Sequence, residues 1–268
     1  MTMKKTSIAW IAFFILVLLI LNQVAQQFTE PREIVISNDL AQVIGKKIWQ
    51  NEGAGKLDNL IVWNQGEDFP SLGIGHFIWY PEGVEQSFQE SFPQLLQFIA
   101  KTQELPKWLV NTPYPPWTSR EDFLENRNSK FVRDLKFFLQ DTQVEQIRFI
   151  ISRLEAALPK MLQEIKSGFE RQRIRENFYH IAMQKNGVYA LVDYVNFKGE
   201  GVSPKERYNN QGWGLLQVLE HMNGKSPNLM SEFVKSADFM LTRRVENAPR
   251  DERRWLPGWR KRLQTYLD

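Results

Sequence analysis

Apolar residues recur at Val43, Ile44, Ile48 and Trp49 in "AQVIGKKIWQNEGAG", and the run stops at Gly53 and Gly55. That spacing predicts a helix whose C-terminus falls beside Glu52. "NLIVWN" (59–64) then reads as a short strand, "QGED" (65–68) as a turn, and "FPSLGIGHFIWY" (69–80) as a return strand with a kink. The rest of the chain reads as mostly helical. Its clearest stripe is Val144, Ile147, Ile151, Leu154, Leu158 and Ile165, at steps of three, four and seven. Thr142 with Glu145 three places on predicts a capping box at the start of that helix, and Pro159 predicts a kink or a break. "WLVNTPYPPW" (108–117) reads as a proline-fixed connector packed on the core. No internal repeat, low-complexity tract or long flexible linker interrupts the pattern, so the expected class is α+β: many helices and a small antiparallel sheet.

The N-terminus stands apart. Lys4 and Lys5 precede fourteen uncharged residues from Ile8 to Leu21. A spanning helix needs about 20 residues, so the run suits a secretion signal, or a signal anchor if it extends to Ala25. Residues 1–26 are therefore expected to be a signal peptide or anchor in the inner membrane, with residues 27–268 exported.

The 268 residues are 43% apolar and 24% charged, the balance of a folded chain. A net charge of +3 does not argue for a nucleic-acid partner, and none is expected. Between Leu241 and Arg262, however, eight Lys/Arg stand against three acids, which leaves open a solvated helical end or a patch facing an anionic polymer or membrane. There are no cysteines, and His76, His180 and His221 lie far apart, so no metal site and no cofactor are expected.

A carboxylate at a helix C-terminus gains nothing from the helix dipole. Negative surroundings and burial between lobes would help Glu52 keep a proton, which glycosidic cleavage requires because the leaving oxygen must be protonated. The alternative is a surface glutamate that starts a loop.

Glu52-Gly53, followed by a strand, a turn and Ser71-Leu72-Gly73-Ile74-Gly75-His76, resembles the opening of the phage-type lysozymes, family 24 of the glycoside hydrolases. "ALVDYVNFKGEG" (190–201), "GLLQVLEHMNGK" (214–225) and "LTRRVENA" (241–248) resemble later segments of that family in the same order. Together they cover about a third of the chain. The resemblance implies a lysozyme-like fold, a helical insertion at about 82–180, and a bacterial envelope location. It also implies peptidoglycan as the polysaccharide partner. Glu52 would be the general acid, and the hairpin would form the floor of a cleft.

One departure bears on mechanism. The family's strand aspartate falls at Ile61 by count and at Asn64 by position in the strand, so a second carboxylate is either displaced to Glu67 or Asp68, or absent. An inverting muramidase needs that second carboxylate, roughly 6.5–9.5 Å from the first, to activate water. A lytic transglycosylase needs only Glu52, because the sugar's own C6 hydroxyl attacks. Asp68 and Ser71 are thus candidate catalytic residues, with Asn64, Glu67 and His76 as candidate substrate contacts; His76 also reads as a hydrogen-bonded strut of the hairpin.

A second polar cluster, "NFKGEGVSPKERYNNQGWGLLQVL" (196–219), has Ser203, Pro204 and Glu206 as a helix start. Glu200, Glu206, Tyr208, Gln211 and Trp213 are candidates for the opposite wall of the cleft, with Trp213 offering an aromatic face. Two functions follow as expectations: a peptidoglycan-cleaving glycosidase, or an inactive lysozyme-like scaffold that binds the wall.

Overall fold

The computed structural model describes residues 33–268, so the expected signal or membrane helix lies outside the described residues. Among the described residues, no helix is long and apolar enough to cross a membrane.

The first helix, α1 (Asn38–Gly53), starts at Asn38 because Ser37 caps it: the Ser37 hydroxyl accepts from the Leu40 N–H at 3.2 Å. It ends as Ala54 turns left-handed, with φ 50°. Its apolar stripe of Ala41, Ile44 and Ile48 is buried.

The sheet departs from the expected hairpin. A single 3-10 turn (Leu57–Leu60) takes up the first two residues of "NLIVWN", leaving β1 as Ile61–Val62. The return segment divides into β2 (Ser71–Leu72) and β3 (Phe77–Ile78), which pair antiparallel with Ser71 opposite Ile78 and Leu72 opposite Phe77. β2 also pairs with β1, so the sheet has three strands in the order β1-β2-β3. What reads as a kink is a full reversal at Gly73–His76, with φ +68° at Gly73 and +48° at His76. A Cβ on Gly73 would sit 2.3 Å from the Gln146 side-chain oxygen, so this glycine is required for packing as well as for its backbone angle.

Helices α2 (Phe92–Ile99), α3 (Lys107–Val110), α4 (Arg120–Asn126) and α5 (Lys130–Asp141) follow. The proline-rich connector is fixed as expected: Trp117 is buried edge-on against Phe123, with ring centroids 4.9 Å apart, and the Pro113 carbonyl accepts from Trp79 Nε1. The long helix α6 (Gln143–Gln163) passes through Pro159 without ending there. Its predicted capping box is absent. Thr142 also closes α5, and its hydroxyl donates to the Phe138 carbonyl at 2.8 Å instead of capping α6.

The α6 stripe of Ile147, Ile151, Leu154 and Leu158 is buried, and the helix packs on α1, α2, α7 (Gly168–Ala182) and α8 (Gly187–Lys198). It is the central strut of the 34–268 unit. Beyond α8, Pro204–Glu206 makes one 3-10 turn where a helix start is expected, with the Ser203 hydroxyl accepting from the Lys205 N–H. A two-residue hairpin, β4 (Arg207–Tyr208) and β5 (Gln211–Gly212), turns on Asn209 and Asn210, both at positive φ. Helices α9 (Leu215–His221), α10 (Leu229–Asn247) and α11 (Leu256–Gln264) complete the fold. The architecture is α+β, mostly helical with small antiparallel sheets.

Candidate functional site

The last turn of α1 carries Asn51 and Glu52 to a junction with α8 and α11. The Glu52 carboxylate is 21% exposed, and Arg262 Nη2 donates to its Oε1. Arg262 is also held by Asp193, through Nε to Oδ2 and Nη2 to Oδ1, both at 2.8 Å. Asp193 is fully buried on α8 and accepts two further bonds, from Asn51 at 3.0 Å and from the Tyr266 hydroxyl at 2.7 Å. Asn51 donates to the Tyr189 hydroxyl as well, at 2.8 Å. Burial opposes the Arg262 charge, but the bonds and charges of Asp193 and Glu52 outweigh it and hold the guanidinium above its ordinary value. The Tyr266 hydroxyl is pushed well up, by burial first and then by Asp193.

This corrects the expected surroundings of Glu52. The helix end is not left among negative groups, because the C-terminal helix delivers a guanidinium to it. Asp193 and Arg262 are the residues that sequence reasoning missed. The available signal was an aspartate inside the apolar run "ALVDYV", since a buried acid requires a partner.

A separate cavity of about 370 Å³ lies between the Gly73–His76 turn, α6 and the end of α8. His76, Ser91, Arg153, Asn196, Glu200 and Glu206 give it polar walls; Glu52 is not among its lining residues. Burial pushes the Glu206 carboxyl up, while the Gly201 and Ser203 N–H groups bonding to it pull the other way and Glu200 adds to the rise. His76 is exposed and lines this cavity.

The remaining candidates separate. Ser71 is buried in β2. Asn64 and Glu67 satisfy each other in the turn, with Nδ2 to Oε2 at 3.1 Å, and Asp68 is exposed beyond them. Tyr208 donates to Glu252 at 3.0 Å and packs on Trp213 with centroids 4.5 Å apart. Trp213 is only 4% exposed, so it belongs to the interior and offers no face to a polysaccharide, contrary to expectation. Gln211 is exposed on β5, away from the cavity lining.

The basic C-terminal stretch is largely built into ion pairs. Arg244 and Arg250 pair with buried Glu252, Arg253 with Asp251, Arg260 with Asp238, and Arg262 with Asp193. Four carboxylates inside and outside the stretch thus hold five of its eight cations. Among the described residues, no group of three or more His, Cys, Asp and Glu is arranged to hold a metal.

No protein-family model, curated protein or solved structure matches the chain.

Proposed function

We propose that the chain is an exported, membrane-tethered glycosidase that cleaves the glycan strands of bacterial peptidoglycan, with Glu52 as general acid on a lysozyme-like fold. The carrying observation is the place of Glu52: it lies in the last turn of α1, in the Glu-Gly pair that resembles the lysozyme opening, with its side chain 21% exposed. Asp193 and Glu52 share Arg262. Asp193 already accepts four hydrogen bonds. Glu52 Oε2 has no hydrogen-bond partner among the described residues, and the carboxylate remains partly exposed.

In this reading Glu52 gives its proton to the glycosidic oxygen as the C–O bond breaks. It then takes one back from the attacking hydroxyl. With Asn64 where the resemblance expects the strand aspartate, and bonded to Glu67, the attacker is better supplied by the muramic C6 hydroxyl than by a carboxylate-activated water, which favours the transglycosylase form. The order of the lysozyme-like segments supports the substrate class, and the uncharged run before residue 22 supports export.

A second reading has its own observation. Glu52 does not line the polar 370 Å³ cavity, which favours a wall-binding module that has lost catalysis. Incubating the protein and a Glu52→Gln variant with isolated sacculi, and reading soluble products by mass spectrometry, separates the two. Anhydro ends from the wild type alone fit a transglycosylase, and reducing ends fit a muramidase. No products, with the protein still pelleting on sacculi, would leave the binding module.

A further inference from the structure

Five of the C-terminal arginines are held by carboxylates, but a second basic surface is less balanced. Two hollows, of about 480 and 290 Å³, adjoin along Asp58, Arg127, Asn128 and Lys136. Arg120 lines the first and Arg133 the second. Arg120 Nε donates to the Trp63 carbonyl at 2.9 Å, and Arg133 Nη1 to the Asn128 carbonyl at 2.7 Å. Those carbonyls orient the guanidiniums without cancelling their charge. Arg127 has no hydrogen-bond acceptor among the described residues. The one acid in the groove, Asp58, pairs with Lys136 at 2.7 Å. That lysine's hydrogen bond and charge hold the Asp58 carboxyl below its ordinary value, and Arg127 adds a lesser pull.

Among the acids on the neighbouring helices, Glu121, Glu125 and Asp141 do not line the groove, and two others are engaged locally. Asp134 pairs with Lys130 at 2.5 Å, and Asp122 bonds to Thr118 and Asn126. The groove therefore holds four cations against one carboxylate. Its lining also includes two exposed apolar side chains, Leu124 (36%) and Phe137 (53%). Fixed guanidinium forks match the paired oxygens of a phosphate. Exposed apolar groups beside them match the boundary between headgroup and acyl chain.

We propose that this groove docks on an anionic phospholipid surface, with Arg120, Arg127 and Arg133 on the headgroup phosphates and Leu124 and Phe137 at the acyl boundary. Glycan cleavage plays no part in the proposal, which stands or falls independently of Glu52.

The full chain would be bound to vesicles of neutral phosphatidylcholine, and to vesicles in which part of that lipid is replaced by phosphatidylglycerol. Backbone hydrogen exchange would be read segment by segment. Lys4 and Lys5 also favour anionic lipid, so protection confined to residues 120–137, and its loss in the arginine variants, is the readout rather than total binding. The expected result is slower exchange over residues 120–137 on the anionic vesicles alone. Vesicle binding should weaken roughly fivefold for each arginine changed to glutamine, and less at high salt. Arg127→Gln, which breaks no hydrogen bond among the described residues, keeps the test readable if R120Q/R127Q/R133Q does not fold. Arg253→Gln, at a neutralised pair, should change nothing. Equal exchange on both vesicles would overturn the proposal, as would equal protection by soluble glycerol phosphate, which would assign the groove to a free phosphate ligand.

Discussion

Arg262 on α11 and Glu52 on α1 meet across 210 residues of chain through a guanidinium that is bidentate on Asp193. The two carboxylates are not equivalent. Asp193 is fully buried and depends on Arg262 for its charge balance, whereas Glu52 is partly exposed and can give up its share. Changing Arg262 to Gln should cost about 3–5 kcal/mol, because it strands a buried carboxylate. Glu52→Gln should cost less than about 1 kcal/mol, close to a partly exposed pair. Urea unfolding of both variants checks this. Equal costs would make Glu52 a structural member of the cluster rather than a group held ready for chemistry.

The glycine-rich turn at Gly73–His76 is held by one side chain of α6. Gln146 is fully buried; its Oε1 accepts from the Ile74 N–H at 3.0 Å and its Nε2 donates to the Leu139 carbonyl at 2.6 Å. Gln146→Leu keeps the volume but leaves a buried donor and a buried acceptor unpaired. The expected cost is about 2–3 kcal/mol, with faster exchange of the Ile74 amide. Unchanged stability would mean that water replaces the amide there.

Helix α1 and the buried stripe of α6 were legible because an amphipathic period needs no partner to be read. The three-stranded sheet was legible only as strand-like sequence. Whether Gly73 and Gly75 mark a kink or a reversal depends on Gln146 and Ile150, more than 70 residues away, filling the space beside them. The capping box failed for a similar reason, since Thr142 has one hydroxyl and α5 uses it. The candidate site divided along the same line. Glu52 could be placed at its helix end from local pattern, but Arg262 could not, because nothing in "WRKRLQTY" says which arginine crosses to Asp193. The basic stretch was the least legible. Counting residues over 241–262 cannot reveal that Asp193 and Asp238, outside the window, answer two of its arginines.

Glu252 should make the fold acid-labile. It is 1% exposed and holds Arg244 at 2.8 Å, Arg250 at 3.3 Å and the Tyr208 hydroxyl at 3.0 Å. Burial alone would push its carboxyl up, but the Arg244 and Tyr208 bonds outweigh that and hold it below the ordinary value of 4.5. A depressed carboxyl stabilises the fold above the unfolded value, and that contribution is lost as pH falls below it. Thermal melts should therefore lose stability below about pH 4.5 more steeply in the wild type than in Glu252→Gln, which is already destabilised by about 3–5 kcal/mol at neutral pH. Parallel curves would mean that other carboxylates carry the acid transition.

Lys198 should act in the opposite pH range. It ends α8 at 8% exposure, with Nζ 3.9 Å from the Phe197 ring centre and 3.5 Å from that of Trp259. Burial, then the nearby Arg244 charge, brings its ammonium down to about 7 from an ordinary 10.5, although Glu252 opposes the drop. Below pH 7 both folded and unfolded chains carry the proton, and the fold bears the cost of a buried cation. Between about 7 and 10.5 the unfolded chain binds more protons than the folded one, so the stability contribution rises with pH. Lys198→Met cannot titrate and keeps most of the ring contacts. Its denaturation free energy, followed from pH 6 to pH 10, should lack the rise seen in the wild type. The same slope in both proteins would show that Lys198 stays protonated between its two rings, the cation–π attraction having outweighed its burial.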